Sequence, residues 1–330
     1  MKESNISKII GVGAYLPPKV LTNSDLEKMV ETSDEWIQTR TGIKERRIAG
    51  EGVPTSALAS KAGLDAIKDA GLTVDDIDLI ICATVTPDMM FPSTAAVVQN
   101  IIGARQIPCF DISAACCGFP YALTIADGMV KSGMYKNVLV LAAEVLSSFI
   151  DWSERSTCVL FGDGAGACVV TAGSDSNIGI VSTLMGADGA YTEILKVPGG
   201  GSRMPPSQET LDQKLQTVKM AGSEVFKLAV RSMADAVVEV CNRAGISVDD
   251  LDCLIPHQAN MRILQAVTDR IKMDPEKVFV NLDRYGNMSA ASTAVALCEA
   301  VKEGRVKKGS YAVLVAFGAG LTWAACCLKW

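Results

Sequence analysis

The residue with the clearest chemical potential in this sequence is Cys116, which lies in the small-residue segment 111–120. This segment is predicted to turn into a helix, and Pro120 is tolerated there because it falls in the helix's first turn. The positive end of a helix dipole favours a thiolate, so Cys116 is a candidate nucleophile. The alternative is a buried cysteine that acts as a small apolar side chain, as most of the other cysteines are expected to do.

His257 is the only histidine, and it follows an apolar strand-like run at 254–256. In α/β proteins, ligands bind at the carboxyl ends of strands, so His257 is a candidate site residue. A buried histidine with a purely structural role is the alternative, and the sequence alone leaves both open.

Apolar strand-like runs alternate with Ala-rich helical stretches, which predicts an α/β fold. Helices are expected over 57–70 and 121–131, each followed by a strand, at 79–82 and 138–141. The segment 198–206, rich in glycine and proline, is predicted to be an exposed loop. The glycine string 161–167 lacks the Lys-Ser/Thr of a phosphate loop and leads into a strand, so we expect tight backbone packing there. Its second-half analogue, 317–321, can present a backbone N–H to a reacting oxygen.

The chain repeats itself at a nearly constant offset. Residues 70–78 are echoed by 244–252 at an offset of 174, and 113–115 by 289–291 at an offset of 176. Gly133 and Gly309 follow those serines at the same distance, each before a tyrosine and a Val-rich strand. We therefore predict two similar halves, 1–175 and 176–330, related by a pseudo-twofold axis.

The repeat makes Asn287 a third candidate. Ser292 is the second-half counterpart of Cys116, so Asn287 lies just before the helix that mirrors the helix of the nucleophile. Asn287 is then expected to face the same centre as Cys116. A turn or helix-cap asparagine is the alternative.

Composition excludes several classes of protein. The 330 residues carry 37 acidic and 31 basic side chains, a net charge of −6, which argues against a general binder of nucleic acid or anionic membranes. We find neither an apolar stretch of the ~18 residues that a membrane span needs nor a signal-peptide core, so a cytoplasmic protein is expected. Eleven cysteines without a C-x-x-C pair, and a single histidine, make a zinc site improbable. No metal is expected.

The sequence resembles the β-ketoacyl-[acyl carrier protein] synthase III family of the thiolase superfamily. The resemblance runs through nearly the whole chain, in segments 32–43, 91–93, 111–120, 162–167, 257–260, 287–292 and 317–323. It implies a five-layer αβαβα fold made of duplicated halves, usually a homodimer. Elongating synthases need a second catalytic histidine, and thiolases a second catalytic cysteine where this chain has Asn287. Chalcone-synthase-like enzymes share the Cys-His-Asn set but not the Gln-Ala-Asn after the histidine.

The activity that the resemblance implies is an acyltransferase that starts type II fatty-acid biosynthesis. It would join a short acyl-CoA, with acetyl-CoA the expected primer, to malonyl-[acyl carrier protein], giving 3-ketoacyl-[acyl carrier protein], CoA and CO₂. Coenzyme A thioesters would be substrates, and no cofactor is expected. One alternative is a paralogous synthase of secondary metabolism, and a remoter one is a non-catalytic partner subunit of the same fold.

The resemblance also implies roles for individual residues. Cys116 would accept the acyl group, and His257 and Asn287 would hydrogen-bond the malonyl thioester carbonyl during decarboxylation. Backbone N–H groups of Cys116 and Ala319 would form the oxyanion hole. The family usually has glycine at the second position, and a left-handed backbone there would strain an alanine.

Further implied residues bind the substrates. Coenzyme A would stack its adenine on Trp36, and its pantetheine arm would lie in a channel lined by Gly222 and Asn260. The carrier protein would dock on a basic patch. One residue would reach across the dimer to the partner's acyl pocket. The CoA-binding residues would be Thr32, Trp36, Arg40, Arg155, Gly222 and Asn260; the dimer residue Phe91; and the docking residues Lys227, Arg231, Arg262 and Arg270.

Overall fold

A computed structural model of the protein describes residues 6–173 and 178–330. The α/β class predicted from the alternating pattern is confirmed. The strands are β1 (Ile6–Tyr15), β2 (Lys19–Thr22), β3 (Glu45–Ile48), β4 (Leu79–Ala83), β5 (Cys109–Ile112), β6 (Asn137–Val145), β7 (Asp163–Gly173), β8 (Gly179–Ala187), β9 (Leu195–Lys196), β10 (Lys219–Met220), β11 (Cys253–Pro256), β12 (Tyr311–Gly318) and β13 (Thr322–Lys329). The helices are α1 (Asn23–Leu26), α2 (Asp34–Thr41), α3 (Thr55–Asp69), α4 (Thr94–Ile102), α5 (Gly118–Lys131), α6 (Arg155–Cys158), α7 (Gln208–Asp212), α8 (Gly222–Ala244), α9 (Met261–Ile271), α10 (Leu282–Tyr285) and α11 (Ala290–Lys302).

Two mixed sheets form the framework. The first has the strand order β1-β7-β6-β4-β5 and the second the order β11-β12-β13-β8, while β2–β3 and β9–β10 form two small ribbons. Within the first sheet, β4 runs parallel to β5 and β6, and β7 is antiparallel to its neighbours. Every residue of β4 is buried, as expected for a strand covered on both faces.

Five layers result from the way the helices cover these sheets. Helices α5 and α11 lie between the sheets and contact strands of both. Helix α3, with α4 beside it, covers the outer face of the first sheet, and α8, with α9 beside it, covers the second. The predicted five-layer αβαβα arrangement is therefore confirmed. Within residues 6–173 and 178–330, no helix has the length and apolar character of a membrane span.

The sequence repeat appears as repeated local structure. Gly71 and Gly245 both adopt a left-handed backbone, with φ of +67° and +72°. Each is followed by a short 3₁₀ turn closed by a capping box, formed by Thr73 with Asp76 in one case and by Ser247 with Asp250 in the other. The predicted boundary near residue 175 falls within 174–177, outside the described residues, and the division into halves 1–175 and 176–330 stays a prediction.

Glycines allow the central helices to approach the sheets and each other closely. A Cβ on Gly166 of β7 would lie 2.5 Å from the Cβ of Ala294 on α11. One on Gly118, at the start of α5, would lie 3.0 Å from the Cβ of Ala290. The tight packing predicted for segment 161–167 is thus confirmed. It also brings the start of α5 against the start of α11, where Cys116 and Asn287 lie.

Candidate active site

The three candidate residues, Cys116, His257 and Asn287, line a single cavity of about 450 Å³. Cys116 is in a 3₁₀ turn just before α5, His257 follows β11, and Asn287 lies between α10 and α11. All three are buried, with no more than 8% of each residue exposed. The fold therefore brings together the residues that the sequence singled out.

Cys116 is held at the cavity wall by a tight turn. Ala115 adopts a left-handed backbone with φ of +47°, and a Cβ on Gly318 would come within 2.7 Å of the Cys116 backbone nitrogen. The neighbouring Cys117 is fully buried away from the cavity, and its thiol donates to the Thr322 carbonyl at 3.3 Å. Only the first of the two adjacent cysteines is therefore placed to meet a substrate.

The buried surroundings of Cys116 affect the ionisation of its thiol. Burial raises its pKa to about 12. Desolvation of the charged form thus opposes the thiolate that the helix dipole favours, and the effect of the dipole stays a prediction. The thiol is therefore neutral at neutral pH, and the thiolate has to form as substrate binds.

Two backbone hydrogen bonds fix the position of His257. Its N–H donates to the Val315 carbonyl of β12 at 2.7 Å, and its carbonyl accepts from the Ala259 N–H at 2.9 Å. Burial lowers the pKa of the imidazole to about 3, so the ring is neutral at physiological pH. Nδ1 has no hydrogen-bond partner in the part of the chain that the structure describes. A neutral imidazole donates one N–H without bringing a positive charge into the cavity.

Hydrogen bonds of both its backbone and its side chain hold Asn287 in place. Its N–H donates to Leu160 and its carbonyl accepts from Gly162, at 2.9 and 3.0 Å. Oδ1 accepts from the Ser289 N–H at 2.8 Å. Because the side-chain oxygen is occupied, the amide is oriented with its NH₂ group available as a donor.

Gln258 fixes the His257 segment relative to the Asn287 segment. Its fully buried side chain donates from Nε2 to the carbonyls of Pro256 and Phe279, at 2.8 and 3.1 Å. Its Oε1 accepts from the N–H groups of Asn281 and Leu282, at 3.0 and 3.2 Å. Three of the four bonds, those to Phe279, Asn281 and Leu282, join the end of β11 to the chain that leads through α10 to Asn287.

Replacement of Gln258 is therefore expected to cost stability and activity together. Gln258→Ala removes four buried hydrogen bonds and leaves their partners unsatisfied, so the free energy of unfolding should fall by about 2–4 kcal/mol. Gln258→Glu keeps the two acceptor contacts but places a carboxylate oxygen against two carbonyls. Urea unfolding should show that this near-isosteric variant is destabilised as well. A Gln258→Glu protein as stable as the wild type would show that the donor contacts contribute nothing.

Ala319, the second expected oxyanion donor, lies beside Gly318 in the cavity wall, in the turn between β12 and β13. The strain considered for an alanine at this position does not arise, since Ala319 is not among the residues with positive φ. Its role as a backbone donor stays a prediction.

The residues expected to bind coenzyme A divide into two groups. Trp36, Arg40, Gly222 and Asn260 line the cavity, whereas Thr32 and Arg155 do not. Trp36 is half-buried, and the guanidinium of Arg155 lies 4.7 Å from its ring centroid. The structure thus places a cation and an aromatic face together at this end of the cavity.

Asn260 also has a structural role that the sequence analysis did not assign. Its Oδ1 accepts from the Arg262 N–H at 2.9 Å and caps α9, and its Nδ2 donates to the Arg40 carbonyl at 3.1 Å. It therefore ties α9 to α2 while it lines the cavity.

Phe91 does not line the cavity of its own chain. Its side chain is 84% exposed, and the neighbouring Met90 is 83% exposed. The strand β5 lies at the open edge of the first sheet.

The basic residues expected at the docking surface differ in their surroundings. Arg262 lies with its guanidinium 5.8 Å from the ring centroid of Phe226, which lines the cavity. Arg231 and Arg270 both pair with Asp235, at 3.8 and 3.5 Å. Lys227 is exposed, and no carboxylate in the described part of the chain pairs with it or with Arg262.

Sequence reasoning missed several residues of the site. Four of the eight phenylalanines line the cavity. Two of them, Phe161 and Phe317, begin the glycine strings that the sequence analysis singled out, whereas Phe149 and Phe226 were missed. Glu144 lies directly behind the wall, and its signal was visible as the only charged residue of β6.

Comparisons with known proteins cover the whole chain and indicate one family. Residues 110–189 match the family model described as 3-oxoacyl-[acyl-carrier-protein (ACP)] synthase III, and residues 241–330 match its C-terminal model. The β-ketoacyl-[acyl-carrier-protein] synthase III of Caldanaerobacter subterraneus subsp. tengcongensis is 56% identical over 100% of this chain and 99% of its own.

Two solved structures are similar to this chain in fold as well as in sequence. The 3-oxoacyl-[acyl-carrier-protein] synthase III of Aquifex aeolicus is 51% identical, with a TM-score of 0.92 over 98% of this chain and 100% of that one. A priming β-ketosynthase from the R1128 polyketide biosynthetic pathway is 34% identical, with a TM-score of 0.91 over 100% of this chain and 97% of that one.

Proposed function

Because the chain belongs to the β-ketoacyl-[acyl-carrier-protein] synthase III family, we propose that it condenses acetyl-CoA with malonyl-[acyl carrier protein]. The products are 3-ketoacyl-[acyl carrier protein], CoA and CO₂, and the reaction starts type II fatty-acid biosynthesis. The observation that carries the proposal is the single cavity that joins Cys116, His257 and Asn287 to Trp36 and Arg40.

Acyl transfer is the first half-reaction. The sulfur of Cys116 attacks the thioester carbonyl of acyl-CoA, the bond from that carbon to the CoA sulfur breaks, and the thiol proton is transferred to the departing CoA. Backbone N–H groups of Cys116 and Ala319 stabilise the oxyanion, which matters because the cavity is largely apolar and charge is poorly solvated there. The raised pKa of Cys116 means that the thiolate forms only in step with this attack.

Decarboxylation is the second half-reaction. Loss of CO₂ from the malonyl group generates the enolate directly, so no strong base is required. His257 and Asn287 donate hydrogen bonds to the thioester oxygen as it becomes negative. The low pKa of His257 suits this role, since a neutral imidazole remains a donor and is a far weaker acid than an imidazolium. The carbanion then attacks the acyl-Cys116 carbonyl, the bond from that carbon to the Cys116 sulfur breaks, and the departing thiolate takes up a proton from water.

Substrate binding uses the end of the cavity that Trp36 and Arg40 line. Trp36, with Arg155 against its ring, offers a stacking surface and a cation for the adenine nucleotide. Thr32, which lies outside the cavity lining, would contact the nucleotide near the mouth. Gly222 and Asn260 line the channel for the pantetheine arm. Coenzyme A thioesters are thus substrates, and the proposed chemistry uses no further cofactor or metal.

A homodimer is part of the proposal. The open edge of β5 and the exposed Phe91 and Met90 offer an unpaired strand and an apolar patch on the same half of the chain. Phe91 would close the acyl pocket of the partner subunit. All eleven cysteines are free thiols, which fits the reducing cytoplasm as the place of action.

Carrier-protein docking gives a specific prediction for Arg262. Acyl carrier protein is acidic, and Arg262, which pairs with no carboxylate of residues 6–173 and 178–330, lies next to Phe226 of the cavity wall. Arg262→Glu should raise the KM for malonyl-[acyl carrier protein] by roughly five- to thirtyfold, since attraction becomes repulsion. The KM for malonyl-CoA and the rate of acetyl-CoA priming should change little.

Salt dependence and a second arginine provide the controls for that prediction. The wild-type KM should rise with ionic strength, and the variant's should rise less. Arg231→Glu is the matched control, because Asp235 already neutralises Arg231 and the effect should be smaller. Equal losses with carrier-bound and CoA-bound malonyl groups would mean that Arg262 serves the active site rather than docking.

Two other functions are possible for a chain with this fold. A priming synthase of secondary metabolism would use the same site, and the polyketide relative at 34% identity shows that the fold serves such pathways. A non-catalytic partner subunit would have no need of the nucleophile, which this chain retains with both donors. The identity of 56% to a β-ketoacyl-[acyl-carrier-protein] synthase III favours fatty-acid synthesis.

A panel of acyl-CoA primers assayed with malonyl-[acyl carrier protein] tests the proposed function. Product masses should show efficient use of acetyl-CoA. A clear preference for a branched or longer primer would correct the primer assignment, and failure with every primer would contradict the proposed reaction.

A further inference from the structure

Asn23 is a buried asparagine whose side chain bonds to both ends of the segment that contains α2. Its Nδ2 donates to the Asp34 carboxylate, at the start of α2, and to the Ile43 carbonyl, just beyond its end, each at 2.8 Å. Between these two contacts, α2 carries Trp36 and Arg40, which line the cavity. Asn23 does not line the cavity, and no step above uses it. One amide thus holds both ends of the helix that carries the proposed nucleotide-binding side chains.

Arg46 connects Asn23 to the segment that follows α6. Its completely buried guanidinium donates to Oδ1 of Asn23 and to the Val159 carbonyl, both at 2.8 Å. A third bond reaches the Leu21 carbonyl at 3.1 Å. Burial lowers the pKa of Arg46 to about 10, so the group stays charged at neutral pH. Because hydrogen bonds from a charged donor are stronger than neutral ones, these contacts join the two segments well.

The two segments that Asn23 and Arg46 join are also the ones that bring Trp36 and Arg155 together. Trp36 belongs to α2 and Arg155 to α6, and the guanidinium lies 4.7 Å from the ring centroid. Helix α2 has eight residues and α6 has four, and helices this short depend on tertiary contacts for their position. The distance between the ring and the guanidinium therefore depends on how α2 is held relative to α6.

We propose that Asn23 is a positioning residue for the end of the cavity that binds the nucleotide of coenzyme A. With Arg46, it holds α2 relative to α6 and so fixes the Trp36 ring relative to the Arg155 guanidinium. The inference rests on the proposed function, because it assigns Asn23 to the binding of acetyl-CoA and to no chemical step.

The first test compares radiolabelled acetyl-CoA with radiolabelled acetyl-pantetheine as acyl donors to Cys116. Both have the same thioester and pantetheine arm, but only acetyl-CoA has the nucleotide. Asn23→Ala should raise the KM for acetyl-CoA about tenfold, because the ring and the guanidinium are displaced, and should keep the maximal acylation rate within about threefold of wild type. Its kcat/KM for acetyl-pantetheine should stay within about twofold of wild type.

Asn137→Ala is the matched control for a loss of stability. Asn137 is also buried and outside the cavity lining, and it donates to the Asp76 carbonyl at 2.8 Å and accepts from the Thr171 hydroxyl at 2.6 Å. Its replacement should lower the Tm and leave the preference for acetyl-CoA over acetyl-pantetheine unchanged.

Two further variants complete the test. Trp36→Ala removes the ring outright, so adding Asn23→Ala to it should raise the KM for acetyl-CoA by less than about threefold. If Asn23→Ala does not fold, Asp34→Ala removes the half-buried partner of Asn23 instead and should raise the KM for acetyl-CoA about threefold, with acetyl-pantetheine unaffected.

Other results would overturn the proposal. A KM for acetyl-CoA that does not change in Asn23→Ala, or equal losses with both donors, would leave Asn23 with no part in nucleotide binding. A full tenfold effect of Asn23→Ala in the absence of the Trp36 ring would separate Asn23 from that ring. A wild-type enzyme that accepts an acetyl group from neither donor would refute the proposed function itself, and the role of Asn23 with it.

Discussion

Cys116→Ser is expected to abolish the formation of acyl-enzyme from radiolabelled acetyl-CoA, by roughly 10³-fold or more. Cys116 is the only cysteine that lines the cavity. A serine hydroxyl in the same apolar surroundings is a far weaker nucleophile, and nothing in the site is placed as a strong base for it: the pKa of His257 is lowered to about 3.

Cys117→Ser is the matched control, one residue along the chain. The Cys117 thiol points away from the cavity and bonds to the Thr322 carbonyl, a bond that a serine hydroxyl can also make. This variant should retain most of the label. Label bound to Cys116→Ser, or lost from Cys117→Ser alone, would move the nucleophile to the other cysteine.

His257→Ala and Asn287→Ala should each lose CO₂ release by about 10²- to 10³-fold, the cost of removing one donor from an oxyanion. Both should still take up the acetyl group from acetyl-CoA. The two half-reactions separate because acylation depends on Cys116 and its backbone donors, whereas the enolate depends on the imidazole and the amide.

The double variant tests whether the two donors serve the same oxygen. Residues that act as a unit are not additive, so His257→Ala/Asn287→Ala should lose less than the product of the two single losses. Either single variant condensing at near the wild-type rate would contradict the donor assignment, as would loss of acylation in a variant that is folded by thermal unfolding.

Much of the fold was predictable because its signals are local or repeated. The apolar runs at 79–82 and 138–141 became strands, and the echo of 70–78 in 244–252 became the same glycine-plus-3₁₀ structure twice. The repeat also predicted that Asn287 would lie near Cys116. The two similar helices, α5 and α11, pack against each other between the same two sheets.

What the sequence could not supply depends on distant parts of the chain. The raised pKa of Cys116 comes from desolvation, which no local pattern reports. Arg270 of α9 pairs with Asp235 of α8 only because the two helices pack together, whereas the pair of Arg231 with Asp235 is a local contact within α8.

The central claim is that an acyl group on Cys116 is joined to malonyl-[acyl carrier protein] with loss of CO₂. The most direct test isolates the acetylated enzyme free of CoA, mixes it with malonyl-[acyl carrier protein], and records the intact masses of both proteins. The account predicts that the enzyme loses its acetyl group while the carrier protein loses CO₂ and gains that same acetyl group, in equal amounts. An acetyl group that stays on the enzyme, or a carrier protein that loses CO₂ without gaining it, would contradict the account.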